Sequence, residues 1–417
     1  MKLVLLFERR HVYSYDYEMW GIKYFENNFS EVELWSCVDW TFDNTPFPLN
    51  GIRGKNIFYI SSKSDLLENL NRIKSDNAYF LLYPYHAYSY KSYLIRKSIK
   101  NYGFHFSNLT ESPTIDNIFE KRSIVLICSR IIYSLFKSFF LFFIGCLSRS
   151  PSLIEKACNH FFCKFGFILA KSDFNFVTTS VLFFSFPNYF EKYLNKNVLL
   201  HSESYEEYMS LQNDFKEIPK QKYAVFIDQF SAGHSDFIKM NMKPEITDPQ
   251  SYYKNLCYLF NKIEDILSYK VIIAAHPKAE YKGNEFGNRE IVYFKTPQLI
   301  KNASLVINQN STAFGLACLY KKDFLHIFSK EMFDNIPYNK KVYKEFDKLF
   351  KSRLLDISNH CEVNNLSSYL CNYSEDLYKK YIDLLIISSK SKSNNKFRFE
   401  IVSEYIFNKV TQLYGKK

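Results

Sequence analysis

The sequence predicts an α/β protein of two domains, each a mostly parallel sheet covered by helices. Three observations carry this prediction. Short β-branched and aromatic runs alternate with helical periodicities along most of the chain. Runs such as 3–7 and 223–227 are apolar throughout, as strands inside a covered sheet are. A polar stretch containing Pro219, Leu211–Lys222, separates the two series. The 417 residues also suit two domains.

In the first series, Leu3–Phe7 reads as the opening strand. Glu8-Arg9-Arg10 ends it too soon for a signal peptide. A helical candidate follows at Tyr17–Phe29, then strands at Glu31–Cys37 and Asn56–Ile60. A helix at Ser64–Lys74, a strand at Ala78–Tyr83 and a helix at Ser89–Tyr102 continue the alternation. The stretch Asn159–Val198 is too aromatic to divide into elements by pattern.

The second series begins with the strand Tyr223–Ile227, which ends at Asp228. It continues with a helix over Ser251–Leu267 and a strand over Lys270–Ala275, which ends at His276-Pro277. Ile291–Phe294 is a short strand. Thr296 is the expected N-cap of a helix with Pro297 at its first position. Leu305–Asn308 is a strand, Ala313–Leu319 opens a helix, and Phe324–Ile327 is the expected last strand. The domains are therefore placed at 1–215 and 222–387. After a polar linker, Ser388–Lys396, apolar residues recur at helical spacing from Phe397 to Leu413. This terminal helix, 397–417, either packs back on the first domain or closes the second.

Composition narrows the function. Hydrophobic residues make up 47% and charged residues 23%, ordinary for a globular chain that can bury its own core. The net charge of +11 suits either anionic partners or a solvated basic surface. The lysines are dispersed and no zinc-finger or RNA-binding signature occurs, so nucleic acid is not expected. Nine cysteines without a CxxC pair point to a reducing compartment, here the cytoplasm. Cys158, His160 and Cys163 lack a second cluster at metal-site spacing, and no DxD-type metal motif is found. Ser123–Leu147 is strongly apolar but interrupted by Arg130 and Lys137, with basic flanks. Three readings stay open for it: a helix lying on an anionic membrane, a core helix, or a surface that docks a partner.

Three polar clusters follow three strands of the second series, where open α/β sheets bind ligands. After the first strand comes Asp228, a carboxylate placed to take a proton, with His234 and Asp236 beyond it as acceptor contacts. After the second come His276, Pro277 and Lys278, a near-neutral titrating group beside a positive charge. After the last come Asn310, Ser311 and Thr312, at a helix start whose amides and hydroxyls suit a phosphate. Each cluster has a plain structural explanation: a strand-ending Asp, a His-Pro turn, a helix cap. Their common placement carries the inference.

This ordered set resembles the bacterial sialyltransferases and related capsule and lipopolysaccharide (nonulosonic acid or Kdo) transferases of the GT-B fold. These have an acidic base motif, an HP motif and a Ser/Thr pair. The resemblance covers about 222–330. It implies two Rossmann-like domains facing a central cleft, with the acceptor on the first and the nucleotide sugar on the second. Asp228 would be the base, and His276 would contact the donor phosphate or protonate the leaving group. Ser311 and Thr312 would bind that phosphate, with Lys295 and Thr296 near the nucleoside. The implied activity is inverting, metal-independent transfer of sialic acid or another nonulosonic acid from a CMP donor to a bacterial surface glycan. The donor is a co-substrate and no cofactor is expected. The enzyme would sit in the cytoplasm or on the inner face of the cell membrane through 123–147. A CDP-glycerol-type polyol-phosphate transferase and a non-catalytic assembly factor of polysaccharide biosynthesis are the alternatives.

Overall fold

The computed structural model describes residues 1–8, 11–13, 17, 20–41, 51–83, 89–110, 124–148, 150, 152–154, 156–159, 161, 172–177, 196–212, 221–233, 243–277, 279–281, 283–387 and 395–414. The chain divides into two compact units. One contains most of the chain up to Leu200 and the C-terminal segment from Lys390; the other contains His201–Ser389.

In the first unit, β1 (Lys2–Phe7) is buried along its whole length. It pairs in parallel with β2 (Glu31–Ser36) on one side and β4 (Ala78–Tyr83) on the other. With β3 (Ile57–Tyr59), β5 (His105–Thr110), β6 (Phe174–Val177) and β7 (Lys196–Leu199) the sheet order is β3-β2-β1-β4-β5-β6-β7, parallel throughout. The last two strands come from the stretch that pattern alone does not divide. Four helices are placed first: α1 (Ile22–Glu26), α2 (Val38–Thr41), α3 (Lys63–Arg72) and α4 (Tyr90–Asn101). Serine hydroxyls at Ser62 and Ser89 cap α3 and α4 by accepting from the amides three residues on. The apolar segment forms α5 (Ile124–Leu147). No described helix is long and apolar enough to cross a membrane.

The second unit opens with α6 (Glu203–Ser210), earlier than the polar stretch 211–222 where the domain boundary is expected. The reason is packing that the residue pattern does not show: the Ser204 hydroxyl donates to the Thr312 carbonyl at 3.3 Å, and Ser202 N donates to Ile386 O at 2.7 Å. Then follow β8 (Tyr223–Ile227), α7 (Pro249–Leu267), β9 (Lys270–Ala274), β10 (Ile291–Val292), α8 (Thr296–Asn302), β11 (Leu305–Asn308), α9 (Phe314–Leu319) and β12 (Asp323–Phe328). Helix α8 takes Lys295 at its N-cap position, so Thr296 lies inside the helix and is not the side-chain cap expected. Strand β12 is not the last. After α10 (Lys330–Asn335) and α11 (Pro337–Phe350), the two-residue strands β13 (Leu355–Asp356) and β14 (Leu370–Cys371) both pair with it. Two residues carry no periodicity, which is why the sequence pattern does not reveal them. The order is β10-β9-β8-β11-β12-β13, with β14 antiparallel to β12.

The terminal helix α12 (Arg398–Tyr414) belongs to the first unit. Phe399, Ile401, Val402, Ile406 and Val410 are buried in one core with Trp20, Phe25 and Phe29. Asn28 donates to the Ser403 hydroxyl at 2.8 Å, and that hydroxyl donates to the Tyr24 carbonyl at 2.8 Å. Of the two placements open to this helix, it takes the one on the first unit.

Candidate functional site

The second sheet fixes where a ligand can sit. From β8 the chain adds β9 and β10 on one side, then returns to place β11 on the other. The crevice outside the carboxyl ends of β8 and β11 is therefore the topological switch point, the usual ligand position in such sheets. Asp228 leaves β8 there, and Asn308-Gln309 leaves β11. In register, Ile227 lies beside Ala274 and Phe226 beside Ile307, so Asp228, His276 and the Asn308–Ser311 turn emerge at one edge.

Asp228 is almost fully buried. Its amide donates to Ala274 O at 3.1 Å, which ties the strand end to β9. Phe230 then adopts a left-handed backbone (φ 55°), and Gly233 N closes the turn on Phe230 O at 3.0 Å. The Phe230 ring lies over Gly233, so a Cβ there would have to push the ring aside. This turn brings the amides of Gln229 and Phe230 to the Asp228 carboxylate. Tyr281 adds its phenol, donating to Oδ2 at 2.6 Å. Burial nevertheless outweighs these donors and pushes the carboxyl up from 3.8 to about 6. The same burial, with Asp228 nearby, raises Tyr252, Tyr253, Tyr281 and Tyr293, so the carboxylate sits among neutral phenols. Tyr252 in turn donates to the buried Gln309 Oε1 at 3.0 Å, joining α7 to the end of β11. The buried Ser231 hydroxyl has no hydrogen-bond partner among the described residues.

His276 is half-buried at the end of β9, and its carbonyl accepts from Ala279 N at 2.9 Å. Pro277 is exposed beside it, while Lys278 lies outside the described residues. At the end of β11, Asn308 Oδ1 accepts from Ser311 N at 3.0 Å, and the Ser311 hydroxyl accepts from Ala313 N at 3.3 Å. Two amides expected to face a phosphate are thus spent inside the turn. What faces outward is Thr312, with Asn310 and Ser311 partly exposed. Lys295 is exposed and Thr296 half-buried past the end of β10. His234 and Asp236 lie outside the described residues.

The structure thus gathers Asp228, His276 and Asn310–Thr312 at one sheet edge and adds Tyr281, Tyr252, Gln309 and Ser231, which sequence reasoning misses. Nothing marks those tyrosines among the 33 in the chain. Of the cysteine cluster, Cys158 is half-buried, and His160 and Cys163 lie outside the described residues. Among the described residues no three His, Cys, Asp or Glu side chains are grouped to hold a metal ion.

No protein-family model matches this chain, and no curated protein does. Solved structures do. Os79 from O. sativa in complex with UDP aligns over 97% of this chain and 100% of its own, at 9% identity and TM-score 0.51. A UGT transferase from Siraitia grosvenorii in complex with UDP aligns over 99% and 100%, at 10% identity and TM-score 0.45. A variant of the wall teichoic acid polymerase TagF aligns over 99% and 89%, at 10% identity and TM-score 0.46. The Os79 alignment, with the two parallel sheets, establishes the fold as GT-B.

Proposed function

We propose that this chain is a glycosyltransferase that binds a nucleotide-linked sugar at the carboxyl ends of β8, β9 and β11. The observation that carries this reading is Asp228: a buried carboxyl at the switch point, raised to about 6 and held by a phenol and two amides. A base poised near neutral pH is what removal of a proton from a sugar hydroxyl needs. The acceptor oxygen attacks the anomeric carbon as its proton passes to Asp228, and the bond to the nucleotide phosphate breaks with its electron pair on the phosphate. His276, Lys278, Ser311 and Thr312 are assigned to meet that charge, with Lys295 and Thr296 toward the nucleoside and His234 and Asp236 toward the acceptor. Protein donors rather than a metal are assigned to the leaving group. Displacement in one step inverts the anomeric centre. The finer reading, a CMP-linked nonulosonic acid passed to a bacterial surface glycan, rests on the resemblance of the strand-end motifs.

CMP-, CDP-, UDP- and GDP-linked donors, screened for thermal stabilisation and turnover, test the reading. A CMP sugar is expected to stabilise the chain and be consumed, with Asp228→Ala and His276→Ala folded but inactive. Turnover of CDP-glycerol alone would favour polyol-phosphate transfer. No stabilisation by any nucleotide would overturn the reading in favour of an assembly factor.

A further inference from the structure

Over its described side chains, 133 and 135–147, helix α5 is built inside out. The side it turns toward the protein is small: Ser138 and Gly145 are buried, and a Cβ on Gly145 would lie 2.8 Å from Ile154 Cγ1 and 3.0 Å from its backbone N. The side it turns outward is aromatic. Phe136 is 73% exposed, Phe139 71%, Phe140 61% and Leu147 70%, with Tyr133 and Phe143 also exposed. Positions 136, 140, 143 and 147 form one stripe at helical spacing, and 139 widens it. A helix that answers only to its own core places the large apolar groups inward. This one presents them to its surroundings over a contiguous patch, as apolar contact surfaces do.

Two further features say what covers the patch. First, a cavity of about 340 Å³ opens beside it, lined by Leu135, Phe139, Phe142, Ala157, Cys158 and Phe161. Its apolar lining and its shared border with the exposed stripe suit a hydrocarbon chain. Second, the sequence around it is basic: residues 121–164 contain seven Lys or Arg and one acid, Glu155, and of the described side chains Lys137 and Lys156 are exposed. Two copies meeting through this face would set like charge against like charge. An anionic lipid surface matches both the rings and the lysines. The helix is about 36 Å long at 1.5 Å per residue, and Arg130 and Lys137 interrupt its apolar run. Charges recurring along the helix suit one that lies along the surface rather than across it.

We propose that α5 binds an anionic lipid bilayer in the plane of its interface, with the aromatic stripe inserted and an acyl chain seated in the adjoining cavity. This does not depend on the identity of the nucleotide donor. Vesicle flotation of the full chain tests it. Vesicles of phosphatidylcholine with phosphatidylglycerol are expected to carry the protein up the gradient, and pure phosphatidylcholine to do so weakly. Salt should weaken the first interaction. Exchange of three exposed rings, Phe136→Ser, Phe140→Ser and Phe143→Ser, should lower vesicle affinity at least ~10-fold while circular dichroism stays unchanged. If that variant fails to fold, Phe140→Trp keeps the face apolar and reports insertion: brominated lipid should quench its added fluorescence. A wild-type chain that stays with the aqueous fraction, a folded triple variant that floats equally well, or added fluorescence in F140W that brominated lipid leaves untouched would overturn the proposal. So would a lipid-free dimer that the triple variant abolishes without any vesicle binding, which would make the face a contact between copies.

Discussion

Both units place a carboxylate just after their central first strand, and they treat it in opposite ways. In the first unit Glu8 leaves β1 and is fully buried, but Arg96 of α4 meets it at 2.6 Å and the Ser92 hydroxyl donates to it at 2.5 Å. In the second unit Asp228 leaves β8 equally buried, and no cation pairs with it among the described residues; Tyr281 and two amides are its donors. The topology is the same, so the neighbours decide the chemistry. A carboxylate locked to a guanidinium is a tie, and this one holds α4 on its sheet. One buried without a cation is pushed up toward neutral pH, only partly held down by its phenol, and can exchange its proton.

The sharpest way to break the contrast is to give Glu8 the surroundings of Asp228. Arg96→Leu strands the carboxylate in the core and is expected to cost about 3–5 kcal/mol, read from denaturant unfolding. A loss below about 1 kcal/mol would mean the pair is not the buried anchor described. Asp228→Asn works in the other direction. The folded chain holds this proton up to about pH 6, whereas an unfolded chain releases it near the usual 3.8. Ionisation therefore costs the folded state stability as pH rises through that window. The asparagine variant should match wild type at about pH 4 and exceed it above about pH 7 by on the order of 1–3 kcal/mol, while losing transfer. Equal stability at both pH values would contradict the burial of an ionisable acid there. The smallest effect belongs to Tyr281→Phe. The phenol holds the Asp228 carboxyl down, so its loss should move the acid limb of the pH–rate profile upward and cost about 1 kcal/mol of stability. An unmoved limb would assign that limb to another group.

Much of this is legible in the sequence where one element speaks for itself. Runs such as 78–83 and 223–227 are apolar from end to end, and the strands occupy those bounds. The apolar residues from Phe399 to Val410 announce a buried helical face, but only contacts with Trp20 and Phe25 show which unit receives it. The strands β13 and β14 are too short to leave a pattern. The site divides the same way. Asp228 and His276 are visible because strand ends are visible. Tyr281 and Gln309 are not. Tyr281 reaches Asp228 from an irregular loop, and Gln309 resembles any other polar turn residue. Where local hydrogen bonds compete, as Asn308 does for the Ser311 amide, the sequence suggests a phosphate cradle and the turn uses part of it internally.

The contrast between the two units rests on the proton at Asp228, and carboxyl-carbon NMR of aspartate-labelled protein reads that proton directly. The resonance that disappears in Asp228→Asn identifies the group. A titration midpoint of about 6 is expected if burial governs this carboxyl; a midpoint at or below the usual 3.8 would contradict it.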